Sequence, residues 1–313
     1  CKDVASLMIS MLRHVGIESY YVLVKTRNFI AAEPVPSLWF DHVIVGYMFE
    51  GEMQYMDLTT DFYPYYVVHE GDSDAWALLI KEGSNEVFNL PNDHLNPNKS
   101  LFDVEVNAKF GLDRTVDLTV NTNSKGVVGG YMRERLDGMT EEERRKFISQ
   151  YFGESVFENL KILDYNFGEV KGITAPLESK FEFKSEKFLD KISRFYVFEI
   201  PYMRTITRMT ELLPEKRYNN LDLHQVMDIY PNVQVVNIEM PEGYRLSEVP
   251  KSMTMNNDFF DYEVRYESTP KGMKVYRELN FKDRLVKAED YAKFKELYLL
   301  LVEADSLKLA MER

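Results

Sequence analysis

The chain has 313 residues, a formal net charge of −13 and 45% hydrophobic residues, with 20 tyrosines and 20 phenylalanines. That length suffices for two or three domains with buried cores, and the aromatic content excludes a disordered chain and favours strands. The acidic balance repels a phosphate backbone and no basic run relieves it, and no apolar stretch approaches the roughly 20 residues of a membrane span, so neither nucleic-acid binding nor a membrane span is expected.

The first predicted element is a helix. Val4, Ala5, Leu7, Met8, Met11, Leu12 and Val15 recur at helical spacing, and Gly16 supplies the stop. Cys1, the one cysteine of the chain, thus stands at a helix N-terminus. Unpaired N–H groups and the helix dipole favour a thiolate there. One cysteine also means no internal disulfide, which leaves the compartment open.

Tyr20 to Val24 reads as a strand, and Arg27 to Leu38, with Pro34 and Pro36, as a loop crossing to the next one. Phe40 to Phe49 and Met53 to Thr59 then flank Glu50-Gly51-Glu52, the signature of a short hairpin turn. With Glu50 and Gly51 as the turn, Phe49 faces Glu52, Ile44 faces Asp57 and His42 faces Thr59. His42 and Asp57 then share a face as diagonal neighbours, about 7–8 Å apart at the backbone, close enough for the carboxylate to reach the imidazole. A register slip of one residue would send Asp57 to the other face. A thiolate, an imidazole and an orienting carboxylate are the parts of a cysteine acyl-transfer site. Trp39, Phe40, Phe62, Tyr63, Tyr65 and Tyr66 flank these residues; Trp39, Phe40 and Tyr63 are candidates to line a groove for an extended peptide, with core or rim packing as the plainer role. His69 to Asp74 is too irregular for a calcium loop and reads as a solvated turn, so no metal is expected.

Ala75 to Ile80 and Glu86 to Leu90 read as strands closing a first domain, 1–92, before the turn-rich stretch Pro91 to Ser100, where His94 needs no role. Alternation around Phe102–Val106 and Thr115–Val120 opens a β-rich domain, 93–215. Thr140 and Glu143 form a capping box for a helix near 140–152, and further strands fall at 160–164, 180–183 and 195–200. A third module, 216–313, has strands at 233–240, 244–248, 259–267 and 273–281. It closes with a helix from about Ala288 whose Tyr291, Phe294, Tyr298, Leu301 and Val302 share a face for docking on the sheet. No Walker motif or dinucleotide loop appears, and no cofactor is expected.

Cys1-Lys2-Asp3 opening an amphipathic helix, then Phe40-Asp41-His42-Val43-Ile44-Val45, then Met56-Asp57-Leu58-Thr59 resembles the transglutaminase-like superfamily of papain-like folds. It is similar above all to bacterial multidomain members with β-rich domains before and after the core. Met240-Pro241-Glu242-Gly243-Tyr244-Arg245-Leu246 and Ala288 to Phe294 resemble the trailing domain of those proteins. The resemblance implies an α+β protein: a partial papain-like core, then β-rich, sandwich-like domains with one inserted helix and a C-terminal helix. It implies Cys1 as nucleophile, His42 as general base and acid, and Asp57 as orienter, acting on a peptide or protein amide by hydrolysis or amine transfer. It also implies export to the periplasm or cell envelope. Members of the family carry a β domain, core elements and oxyanion-hole residues before the cysteine, so this chain is expected to be a C-terminal fragment with impaired activity. The alternative is a non-catalytic envelope binding or structural protein with a relic triad. A lipid-modified N-terminal cysteine normally leads a polar tether, whereas here a core-facing helix starts at once; a cysteine using its own α-amine as base leaves His42 and Asp57 unexplained. Oligomeric state is not legible.

Overall fold

A computed structural model describes residues 1–26, 40–83, 87–153, 157 and 160–313. The chain divides into two compact units. One is Cys1–Leu101 with Lys125–Arg135 and Lys171–Pro176; the other is Phe102–Ser124 with Leu136–Val170 and Leu177–Arg313.

In the first unit, α1 (Lys2–His14) precedes an antiparallel sheet of β1 (Ser19–Lys25), β2 (His42–Phe49), β3 (Glu52–Met56), β4 (Trp76–Ile80) and β5 (Val87–Asn89), in the order β3-β2-β1-β4-β5. The helix stops at Gly16 (φ +81): Gly16 N–H donates to Arg13 C=O at 3.1 Å and Ile17 N–H to Leu12 C=O at 2.8 Å, closing the last turn. Strand alternation divides the apolar residues between two faces. Val45, Tyr47 and Met56 pack with Ala5 and Ile9 of α1, while Val22, Val24, Ile44 and Ala77 pack with Val68, Ala75 and Leu90. A helix that the pattern does not predict, α2 (Val127–Leu136), carries Gly129-Gly130, which are weak helix formers. Packing explains it: a Cβ at Gly130 would lie 2.6 Å from the Tyr63 ring, so only glycine lets that ring rest on the helix.

The second unit is built on long strands. β6 (Ser100–Phe110), β7 (Val116–Gly126), β8 (Leu160–Phe167) and β9 (Leu177–Ser185) join Asn232–Glu239, Phe260–Thr269, Gly272–Phe281 and Met253–Asn256 in one eight-stranded sheet. The link between the two groups is a parallel pairing of β6 with Asn232–Glu239, so strands from the 93–215 and 216–313 stretches share that sheet. Phe102, Val104, Val106, Ala108 and Phe110 alternate inward. α3 (Glu141–Gly153) has the expected cap, with Thr140 N–H to Glu143 Oε2 at 2.8 Å and Glu143 N–H to Thr140 Oγ1 at 3.3 Å. Its Phe152 packs edge-on against Phe181 and Phe183. α4 (Tyr291–Asp305) buries Tyr291, Phe294, Tyr298 and Leu301, and the last strand, Lys308–Glu312, pairs with Phe195–Glu199. The architecture is α+β with a β-rich character, and no helix among the described residues is long and apolar enough to cross a membrane.

Candidate active site

The hairpin carries His42 and Asp57 to one spot. Glu50 (φ +52) and Gly51 (φ +86) are both left-handed, as a two-residue type I′ turn requires. The register then runs from Phe49↔Glu52 to Val45↔Met56, and Asp57 follows at the next position, on His42's face. His42 Nε2 and Asp57 Oδ2 are 3.0 Å apart, with side chains 14% and 5% exposed. The other carboxylate oxygen, Oδ1, accepts from Thr59 N–H at 2.9 Å and Thr59 Oγ1 at 2.8 Å, so the group has little freedom to turn away. Asp41 fixes the strand entry: its carboxylate takes Lys25 Nζ and Thr26 N–H, each at 2.8 Å, and its own N–H donates to Val24 C=O.

The charges favour a proton on His42. The hydrogen bond to Asp57 raises its pKa most, burial opposes, and the charges of Asp57 and Asp72 add to the rise. Burial alone would raise Asp57, but the bonds from His42 and Thr59 outweigh it and bring the carboxyl down to about 2. With Nε2–H given to Asp57, the ring nitrogen able to accept a proton is Nδ1.

Cys1 stands at the same end of the sheet. Ile9 C=O accepts from Ser19 Oγ at 3.4 Å, and Tyr21 OH donates to Ser6 Oγ at 3.0 Å. Moving back along α1 thus moves forward along β1, from the partner of Tyr47 towards Val24, the partner of His42. From Ser6 to Cys1 the helix runs about 7 Å further that way at about 1.5 Å per residue, and from Tyr21 to Val24 the strand runs about 10 Å at about 3.3 Å per residue. The charge at the Cys1 nitrogen reaches His42 and works against its protonation. Alternation puts His42 with Ile44 on the face away from α1. Its thiol is exposed, and among the described residues no hydrogen bond joins it to His42.

A second acid completes the cluster. Asp72 is 1% exposed, and its Oδ2 lies 3.7 Å from His42 Nε2. The acceptor atoms of His42, Asp57 and Asp72 all fall within 4.8 Å of one another. The turn that delivers Asp72 is tight: the N–H groups of Asp72 and Ser73 both donate to His69 C=O, at 3.0 and 2.9 Å. Burial pushes the Asp72 carboxyl up to about 7, the Asp57 charge adds to that rise, and His42 opposes it.

Of the groove candidates, Phe40 is half-buried beside the site, and Trp39 lies outside the described residues. Tyr63 is 7% exposed and meets the His69 ring edge-on at 4.7 Å in a cluster with Val67 and Val127, a packing position.

A domain of unknown function with a solved structure, DUF3858, matches residues 193–311, a span that encloses both trailing motifs. No curated protein matches the chain. Among solved structures, the chain is similar to the crystal structure of a "putative protease" from Parabacteroides distasonis, with a TM-score of 0.49 and 11% identity over 99% of this chain and 43% of that one. The chain spans less than half the length of that protein.

Asp72 is the residue that sequence reasoning misses. His69 to Asp74 has the composition of a wet turn, yet Asp72 and Ser73 are buried, because β4 must leave this turn to pair with β1 and the turn is drawn beneath the sheet end. The nearby His94 is likewise buried rather than a linker residue in water, and its neighbour Asp93 accepts Val68 N–H at 2.8 Å. Only the charge count around His69–Asp74 could have drawn attention to Asp72.

Proposed function

We propose that this chain carries a cysteine acyl-transfer site of the transglutaminase-like kind, acting on peptide or protein amides. The observation that carries the reading is the 3.0 Å pairing of His42 Nε2 with Asp57 Oδ2 at the strand end towards which the N-terminus of α1 points. In this mechanism His42 Nδ1 takes the Cys1 thiol proton and the thiolate attacks the amide carbonyl. The imidazolium then returns the proton to the leaving amine, and water or a second amine resolves the acyl-thioester. Asp57 holds the ring and stabilises its charged form. Catalytic hydrogen bonds are often long before substrate binds, and an exposed Cys1 thiol whose own backbone nitrogen acts electrostatically on His42 fits that state. The papain-like identity of the core and an envelope localisation belong to the same proposal and rest on the sequence resemblance.

The missing thiol–imidazole bond favours a second reading, in which the same surface is a non-catalytic binding module. Iodoacetamide labelling of Cys1 against pH separates the two. The acyl-transfer reading expects a thiol more reactive at pH 6 than a simple one, slowed about tenfold or more in His42→Ala, with its midpoint moving up towards the ordinary value of about 8.5. Superimposable profiles for the two proteins, both near that ordinary value, would mean that the binding reading holds.

A further inference from the structure

The acids beside His42 outnumber the positive charge available to them, and one of their oxygens is left over. Asp72 Oδ2 is buried and receives no hydrogen bond. His42 Nε2 lies 3.7 Å from it, but its N–H already goes to Asp57 at 3.0 Å. An ionised Asp72 would be a buried charge without a donor beside a second carboxylate, which is strongly unfavourable. A protonated Asp72 escapes both penalties, since its O–H is itself a donor and Asp57 is the acceptor next to it.

We propose that Asp72 is a positioning residue of this site, whose carboxyl O–H is donated to Asp57 and holds that carboxylate on His42 Nε2. The inference rests on the reading of His42 as base and Asp57 as orienter. The acid pair then carries one negative charge, shared over two groups, and faces one imidazolium when His42 takes up the thiol proton. An O–H···O⁻ bond is short and strong, so Asp57 is held from both sides: Thr59 on Oδ1 and Asp72 on the rest of the carboxylate. The direction of titration agrees, with burial first and the Asp57 charge second raising Asp72. The charged groups facing the pair are Asp41, just before β2, His42 at its start, and the Cys1 nitrogen at the head of α1, which acts on His42. Asp41 raises Asp72 further but is itself tied to Lys25.

The test is carboxyl-carbon and imidazole NMR titration of the full chain, made on the unchanged protein, Asp72→Asn and Asp72→Leu, each also in a Cys1→Ala background. One aspartate should titrate near neutrality and be missing from D72N. The His42 midpoint should move little in D72N, because a protonated Asp72 and an asparagine present the same charge to the imidazole. A slowly exchanging His42 Nε2–H should persist in D72N, whose amide still donates, and be lost in D72L. Cys1 alkylation should slow about tenfold in D72L, with D72N recovering most of that loss, the size of one charge-assisted hydrogen bond. An Asp72 carboxyl titrating near the ordinary value of about 4, with the His42 midpoint falling in D72N as the loss of a charged neighbour demands, would overturn the proposal. If D72L does not fold, the two titrations of the unchanged protein and D72N decide it. The NMR readouts need no thiol, so their success with an ordinary Cys1 profile sinks the acyl-transfer reading and leaves the positioning role standing.

Discussion

Each unit of this protein buries an acid, and the two burials differ in kind. In the second unit Asp305 at the end of α4 meets Arg277, with side chains 1% and 2% exposed. The pair is enclosed by further partners: Asp305 accepts Ile206 N–H at 2.7 Å, and Arg277 donates to Arg204 C=O at 2.8 Å and Asn232 Oδ1 at 3.0 Å while lying over the Tyr202 ring. Charge is balanced there by a guanidinium that cannot lose its proton. In the first unit two acids share one imidazole, which is charged only when protonated, and Asp72 Oδ2 has no donor. The first arrangement locks a sheet to a helix; the second leaves a proton to be placed. A proton with alternative homes is what acid–base chemistry needs, and a permanent ion pair does not offer one.

The largest expected effect breaks the balanced cluster. Asp305→Ala strands Arg277 in the core and should cost about 3–5 kcal/mol of stability, read by denaturant unfolding. Replacing both members with apolar residues of similar volume should cost far less, because no lone charge remains. A small loss in Asp305→Ala would mean that Arg277 finds solvent, and the contrast between the clusters would weaken.

Next in size is Asp57→Ala, which strikes the unbalanced cluster at its centre. Loss of a charge-assisted bond of about 1.5–3 kcal/mol should slow Cys1 alkylation by roughly 10- to 100-fold. It should also lower the Asp72 midpoint, since the Asp57 charge is one of the causes that raise it. An unchanged Asp72 midpoint would mean that burial alone sets it.

The pH dependence of stability should have opposite signs at the two acids. Asp57, held at about 2, contributes stability that is present above its ordinary value of about 4 and lost as pH falls through 2. Asp72, raised to about 7, behaves in reverse: its contribution is complete below about 4 and is lost as pH rises through 7. Asp72→Asn removes that loss. It should unfold later than the unchanged protein at pH 8, by on the order of 1–2 kcal/mol, with the gap closing towards pH 4. A constant gap would show that Asp72 does not titrate within the folded site.

How much of this was legible follows from where each signal lives. The His42–Asp57 pairing was readable because a two-residue Glu-Gly turn and period-two strands fix the register locally. The α3 cap and the buried stripe of α4 are likewise written in adjacent residues. α2 was not readable, since Gly129 and Gly130 lower helix propensity and only the Tyr63 ring explains them. The parallel pairing of β6 with Asn232–Glu239 joins residues 130 positions apart and leaves no local trace. Asp72 was hidden because a polar turn has the same composition whether it lies in water or is drawn under a sheet.

The smallest expected effect supplies the reference against which the Asp72 slope is judged. Thr140→Ala removes a neutral hydroxyl cap from α3, in the second unit, and should cost about 1 kcal/mol. Above pH 5 the loss should be constant, because Thr140 does not ionise and Glu143, its partner, is fully charged there. The backbone and hydroxyl of Thr140 hold the Glu143 pKa down, so the part of the cap that depends on this charge is lost only as pH falls below the usual carboxylate range. A flat offset in Thr140→Ala beside a sloping one in Asp72→Asn, measured on the same unfolding curves, would assign the slope to the acid pair. Were both to slope alike between pH 5 and 8, the pH dependence would belong to the whole chain, and the unbalanced cluster would lose its claim to a proton of its own.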